Sequence, residues 1–85
     1  MQYRIELAPL AQRQFKKFDR AIQNRLLKHV ETLSSNPRPP GVKKLTDEEN
    51  LYRIRIGEYR VIYQIRDWVL TVVVVKVGHW REIYS

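Results

Sequence analysis

The chain has 85 residues, no cysteine, and 16 Lys/Arg against 9 Asp/Glu, a net charge of +7. That length allows one domain, residues 1–85, with a modest core; without cysteine there is no disulfide framework, and the two histidines and scattered acids show no metal-ligand spacing, so no cofactor is expected. No signal peptide is visible and the longest apolar run, residues 69–75 broken by Thr71, is too short to span a bilayer, so a cytoplasmic protein with no membrane partner is expected.

In chain order, residues 2–7 alternate Tyr3, Ile5 and Leu7 against Gln2, Arg4 and Glu6, the pattern of a half-buried strand. Pro9 suits the first turn of a helix, where its missing N–H is not needed. Leu7, Ala11, Phe15 and Phe18 then form one stripe at helical spacing. Asp19 is a candidate N-cap for a second helix with the stripe Ile22, Leu26, Val30 and Leu33. Arg13, Lys16, Lys17, Arg20, Arg25 and Lys28 fall mostly off these stripes, on the solvent side. Three prolines and a glycine in residues 34–41 end the second helix. Val42 to Leu45 leads into an acidic turn, Asp47-Glu48-Glu49-Asn50.

Strands are predicted at 51–56, 59–66 and 69–77, joined at Gly57-Glu58 and around Asp67-Trp68. The third is apolar on both faces until Lys76, as a central strand would be. Gly78 is expected to end it, with room for a short final strand at 81–84. The prediction is an α+β domain: an N-terminal strand, a two-helix hairpin, then a mainly antiparallel sheet of about four strands, with the helices on one face.

Side chains two apart on a strand share a face. Arg53 and Arg55 therefore project together, opposite Tyr52, Ile54 and Ile56, and Arg60 sits out of phase with Val61, Tyr63 and Ile65. An apolar face toward the helices leaves these arginines facing away from them, as a surface for phosphate. The bland alternative is three solvated arginines that protect the sheet from edge pairing. Residues 1–45 carry ten basic residues against three acidic ones, and residues 46–85 carry six of each, so the whole positive excess lies in the first half. Such a balance favours a polyanionic partner.

The blocks Tyr52-Arg53-Ile54-Arg55-Ile56-Gly57, Tyr59-Arg60-Val61-Ile62-Tyr63 and Val77-Gly78-His79, with Arg81-Glu82-Ile83-Tyr84, are the most specific part of a nearly end-to-end resemblance. Asn36-Pro37 and Val42-Lys43-Lys44-Leu45 extend it. In these blocks, and in their order and spacing, the chain resembles the RelE/ParE superfamily of bacterial toxin–antitoxin pairs. The resemblance implies a small α+β toxin held in a hetero-oligomer by a cognate acidic, RelB-like antitoxin. In the RelE branch it further implies an mRNA interferase, an endoribonuclease that cuts messenger RNA on the ribosome and so inhibits translation. There the ribose 2′-OH attacks its own phosphodiester without a metal.

By position, Arg53 and Arg55 match a basic pair of the family, Arg60 a strand arginine, and Tyr84 a C-terminal tyrosine near the scissile phosphate. Where this chain has Arg53 and Arg55, the best-known RelE toxin has lysines, and it has an arginine near the position of Trp80; Arg81 is one position from that arginine. Arginine, always protonated, suits charge stabilisation rather than proton transfer. His79, with an ordinary pKa of ~6.5, suits proton transfer; otherwise it is a turn histidine bonded to backbone. Trp80 is placed to stack on a base or to cover the core's edge. Arg13, Lys16, Lys17, Arg20, Lys43 and Lys44 are candidates for ribosomal RNA phosphates. Glu58 reads as a turn residue and His29 as structural. Two other readings stay open: a ParE-like inhibitor of DNA gyrase, and an RNA-binding module without catalysis.

Overall fold

The computed structural model describes residues 2–45 and 50–83. Its elements run β1 (Arg4–Leu7), α1 (Pro9–Lys16), α2 (Arg20–Thr32), β2 (Lys43–Lys44), β3 (Leu51–Ile56), β4 (Tyr59–Arg66), β5 (Thr71–His79) and α3 (Trp80–Ile83). All described strands join one sheet in the order β1-β5-β4-β3-β2. β1 runs parallel to β5 and the other pairs are antiparallel. The architecture is the α+β one expected from the sequence, with β2 as a further, two-residue strand beside β3.

Pro9 opens α1. Asp19 caps α2, its Oδ1 accepting the Ile22 N–H at 2.9 Å, a contact worth about 1 kcal/mol. Ala11, Leu26, Val30 and Leu33 are buried, while Phe15, Phe18 and Ile22 pack against them half-buried. Tyr52, Ile54, Ile56, Val61, Tyr63 and Ile65 alternate into the same core, joined by Val72, Val74 and Val77. Both helices therefore cover one face of the sheet.

β5 begins and ends later than predicted. Asp67–Val69 form a short 3-10 turn that closes with Leu70 in the left-handed region, at φ 47°, so the strand starts at Thr71. Gly78 does not end it, because Gly78 pairs with Arg60 and His79 with Tyr59. The final strand expected at 81–84 is absent over 81–83, which lie in α3, and Tyr84 lies outside the described residues. The cause is the β3–β4 hairpin: past Tyr59, β4 has no residue left to pair. The Trp80 N–H donates instead to the turn carbonyl of Glu58 at 2.9 Å.

β5 also carries a bulge. Ile62 pairs with Lys76 and Tyr63 with Val74, leaving Val75 without a partner. One extra residue reverses the alternation, so Val77 enters the core while Lys76 and Gly78 turn to the opposite face.

A polar clamp fixes the proline segment after α2. The buried Tyr63 hydroxyl donates to the Pro37 carbonyl at 2.7 Å, and burial pushes its phenol pKa up, so it stays a donor. Arg38 donates to both Asp67 oxygens, at 2.9 and 3.3 Å, and to the Tyr52 hydroxyl at 3.2 Å. Tyr3 donates to the same carboxylate at 2.6 Å. The acidic turn expected at 47–49 lies outside the described residues, next to Asn50 at φ 61°.

The hydrogen bonds from Arg38 and then Tyr3 hold the Asp67 carboxyl below its ordinary 3.8. A lowered folded pKa contributes stability that is present above the unfolded value and lost as pH falls through the folded one. Asp67→Asn should therefore flatten the acid limb. In thermal melts below about pH 4, wild type should lose more of its neutral-pH stability than the variant does. Equal acid losses would place the acid-sensitive contacts elsewhere.

Candidate functional site

β3 and β4 meet in a two-residue turn. Gly57, at φ 60°, takes the first central position, which suits the right-handed twist of the hairpin. The register sets Arg55 directly opposite Arg60, Arg53 opposite Ile62, and Lys43 beside Arg53. The three arginines that the sequence assigns to the face away from the helices are brought together there. With Lys43 and Gly41 they line an open cleft of about 320 Å³.

Like charges directly across a strand pair repel. Here backbone carbonyls hold them. Arg55 Nε donates to the Gly57 carbonyl at 3.4 Å, and Arg60 Nη1 donates to the carbonyls of Gly57 and Tyr59 at 3.1 and 3.0 Å. A carbonyl fixes a guanidinium without cancelling its charge. Among the described residues neither Arg55 nor Arg60 has a carboxylate partner. The cleft is thus cationic and pre-positioned, which suits the oxygens of a phosphodiester.

His79 lies elsewhere. The bulge at Val75 and the pairing with Tyr59 put its side chain on the helix-side face of the sheet, away from the arginine cleft. Its ring meets Tyr59 edge-on at 5.8 Å, and Tyr59 in turn meets Phe18 at 5.3 Å. Nδ1 accepts the Arg81 N–H at 3.2 Å, and Nε2 stands 3.5 Å from Glu58 Oε2. An Nδ1 that accepts leaves the proton of the neutral ring on Nε2, directed at Glu58. His79 therefore ties the hairpin turn to α3.

Trp80 is exposed, with the Arg81 guanidinium over its ring at 5.4 Å. Arg13, Lys16, Lys17 and Arg20 are exposed around the junction of α1 and α2, forming a basic surface apart from the cleft. Lys44 is exposed beside Tyr52, on the other side of β2 from Lys43. Tyr84 lies outside the described residues. Among the described residues no three His, Asp or Glu side chains are grouped to hold a metal ion.

Two participants were not legible in the sequence. Gly41 helps to shape the cleft, and Arg38 is spent on the clamp with Asp67, a partner 29 positions away that no local pattern marks.

The chain is similar to known proteins over nearly its whole length. The sequence model for the ParE toxin of the type II toxin–antitoxin system parDE matches residues 5–84. A protein of Escherichia coli named as a RelE-like toxin is 31% identical over 80 residues, covering 92% of this chain and 83% of its own length. The toxin–antitoxin complex RelBE2 of Mycobacterium tuberculosis aligns at a TM-score of 0.83 and 28% identity, over 93% of this chain and 99% of that one. The intact RelBE complex of E. coli aligns at 0.80 and 25% identity, over 91% and 95%. The matching family model carries the ParE name, while the E. coli relative and the solved structures carry the RelE name. The chain belongs to the RelE/ParE superfamily, as a toxin of a type II toxin–antitoxin system.

Proposed function

We propose that this toxin inhibits translation as a ribosome-dependent endoribonuclease that cuts messenger RNA in the cytoplasm. The observation that carries the reading is the cleft of Lys43, Arg53, Arg55 and Arg60, in which arginine forks are held by carbonyls. In the reaction, the ribose 2′-oxygen forms a bond to phosphorus as the bond to the 5′-oxygen breaks. The products are a 2′,3′-cyclic phosphate and a 5′-hydroxyl. The 2′-OH proton leaves to a base, and the departing 5′-oxygen takes up a proton. Negative charge grows on the phosphorane oxygens meanwhile, and the guanidinium groups stabilise it.

The described side chains lining the cleft are lysine and arginine, which serve charge rather than proton exchange near neutrality. Tyr84 is the candidate for proton transfer from outside the described residues. The Glu58–His79 pair stands at the end of the hairpin, on the other side of the sheet. With so few proton-transfer groups of its own, the protein relies on the ribosome to align the 2′-oxygen with phosphorus, an effect that can supply several kcal/mol. The basic surface at Arg13, Lys16, Lys17 and Arg20 would grip ribosomal RNA. An acidic, RelB-like antitoxin would complete the hetero-oligomer, as RelB does in the structurally similar complexes.

A second reading has its own support, since the family model that matches carries the ParE name. On that reading the target is DNA gyrase. Induction in cells followed by mapping of 5′-OH ends should reveal new ends within translated messages, while purified gyrase keeps its supercoiling activity in the presence of the toxin. Intact messages with inhibited gyrase would establish the second reading. Binding to ribosomes without new ends or gyrase inhibition would mark a non-catalytic module.

A further inference from the structure

Gly57 is crowded from both sides of the sheet. From the helix side, the Arg25 guanidinium of α2 fills the space that a β-carbon at position 57 would need. From the other side, Arg55 and Arg60 both donate to the Gly57 carbonyl. Three guanidinium groups from three separate elements therefore converge on one turn residue.

None of the three has a carboxylate partner among the described residues. The acid of the turn itself, Glu58, is directed at His79. Arg25 is the least compensated: among the described residues its guanidinium has neither an ion-pair nor a hydrogen-bond partner. Three like charges gathered at one point repel in the free protein, and a bound anion would relieve them. Glycine is favoured at this position by its positive φ, and a β-carbon there would displace the Arg25 guanidinium.

We propose that the tip of the β3–β4 hairpin is a phosphate-binding site with Arg25 as its additional recognition residue. Arg25 would hold a phosphodiester next to the one gripped by Arg53, Arg55 and Arg60. The RNA backbone then passes from the sheet face, around the hairpin tip, to the α2 side. This site rests on the RNA-cutting reading and extends it to the path of the substrate.

The test is a titration of a short single-stranded RNA by fluorescence anisotropy over a range of salt concentrations, with wild type, Arg25→Gln and Arg25→Lys. Each phosphate contact to a single strand contributes about 0.7 to the slope of log affinity against log salt. Arg25→Gln should bind several-fold more weakly at low salt, with a slope smaller by about 0.7. Arg25→Lys should keep the slope, because it keeps the charge. Thermal melting separates binding from folding: Arg25→Gln should melt at or above wild type, since it removes a repelling charge. If wild type binds RNA and Arg25→Gln matches it in affinity and slope, this site is overturned and the RNA reading stands. A melting temperature that falls in both variants would make Arg25 a structural prop and also overturn the site. If wild type itself does not bind the free RNA, the hairpin-tip site is overturned, while the ribosome-dependent reading is decided separately by the mapping of 5′-OH ends.

Discussion

Arg60→Ala should lower single-turnover cleavage on saturated ribosomes by about 10²–10³-fold, the scale of losing one oxyanion-type donor. Ribosome affinity should change little by comparison. Arg60 is half-buried, opposite Arg55, and its Nη1 is already tied to two carbonyls. Its geometry is therefore set before substrate arrives, and the remaining N–H groups meet phosphate oxygens without a search. An interaction that strengthens as charge moves onto those oxygens appears in the rate rather than in binding. Time courses at saturating ribosome concentration, alongside binding isotherms, separate the two. A variant that binds several decades more weakly yet cuts at the wild-type saturated rate would reduce Arg60 to a binding residue.

Leu26→Ala should cost about 2–5 kcal/mol, the range for emptying a fully buried leucine site. Leu26 is completely buried and sits in the α2 stripe against the sheet core. For a domain of this size, each kcal/mol moves the melting temperature by about 4–8 °C, so a fall of about 10 °C or more follows. Leu10, in α1 but 43% exposed, is the matched control. Leu10→Ala should stay within about 0.5 kcal/mol of wild type. Equal melting shifts in the two variants would mean that α2 does not pack on the sheet as described.

The sequence made the hairpin legible because β3 and β4 keep strict alternation over a half-buried surface, so Arg53, Arg55 and Arg60 fell on one face by counting alone. Asp19 and Pro9 were legible for a similar reason, since capping and first-turn chemistry are local. His79 was not. Counting outward from Val72 places it with the arginines, and the unpaired Val75 reverses that count; residues 72–75 are all valine, so the only mark of the slip in the side-chain pattern is Lys76, in phase with the buried Val72 and Val74. β2 escaped because two lysines carry no alternation, and their pairing depends on the position of β3. The Arg25–Gly57 contact escaped because it joins a helix to a turn 32 positions later. The resemblance to known toxins pointed to Arg53, Arg55 and Arg60 and said nothing of Arg25, Arg38 or Gly41.

The strand order has a consequence in time. Among the described strands β5 comes latest in the chain, yet it lies between β1, the earliest, and β4. Until residues 71–79 are available, β1 has no partner and the core lacks Val72, Val74 and Val77. Contacts between distant parts of a chain form late in folding. A growing chain therefore cannot close this sheet before β5 is made, and any fragment that stops short of Thr71 lacks the strand that joins β1 to β4.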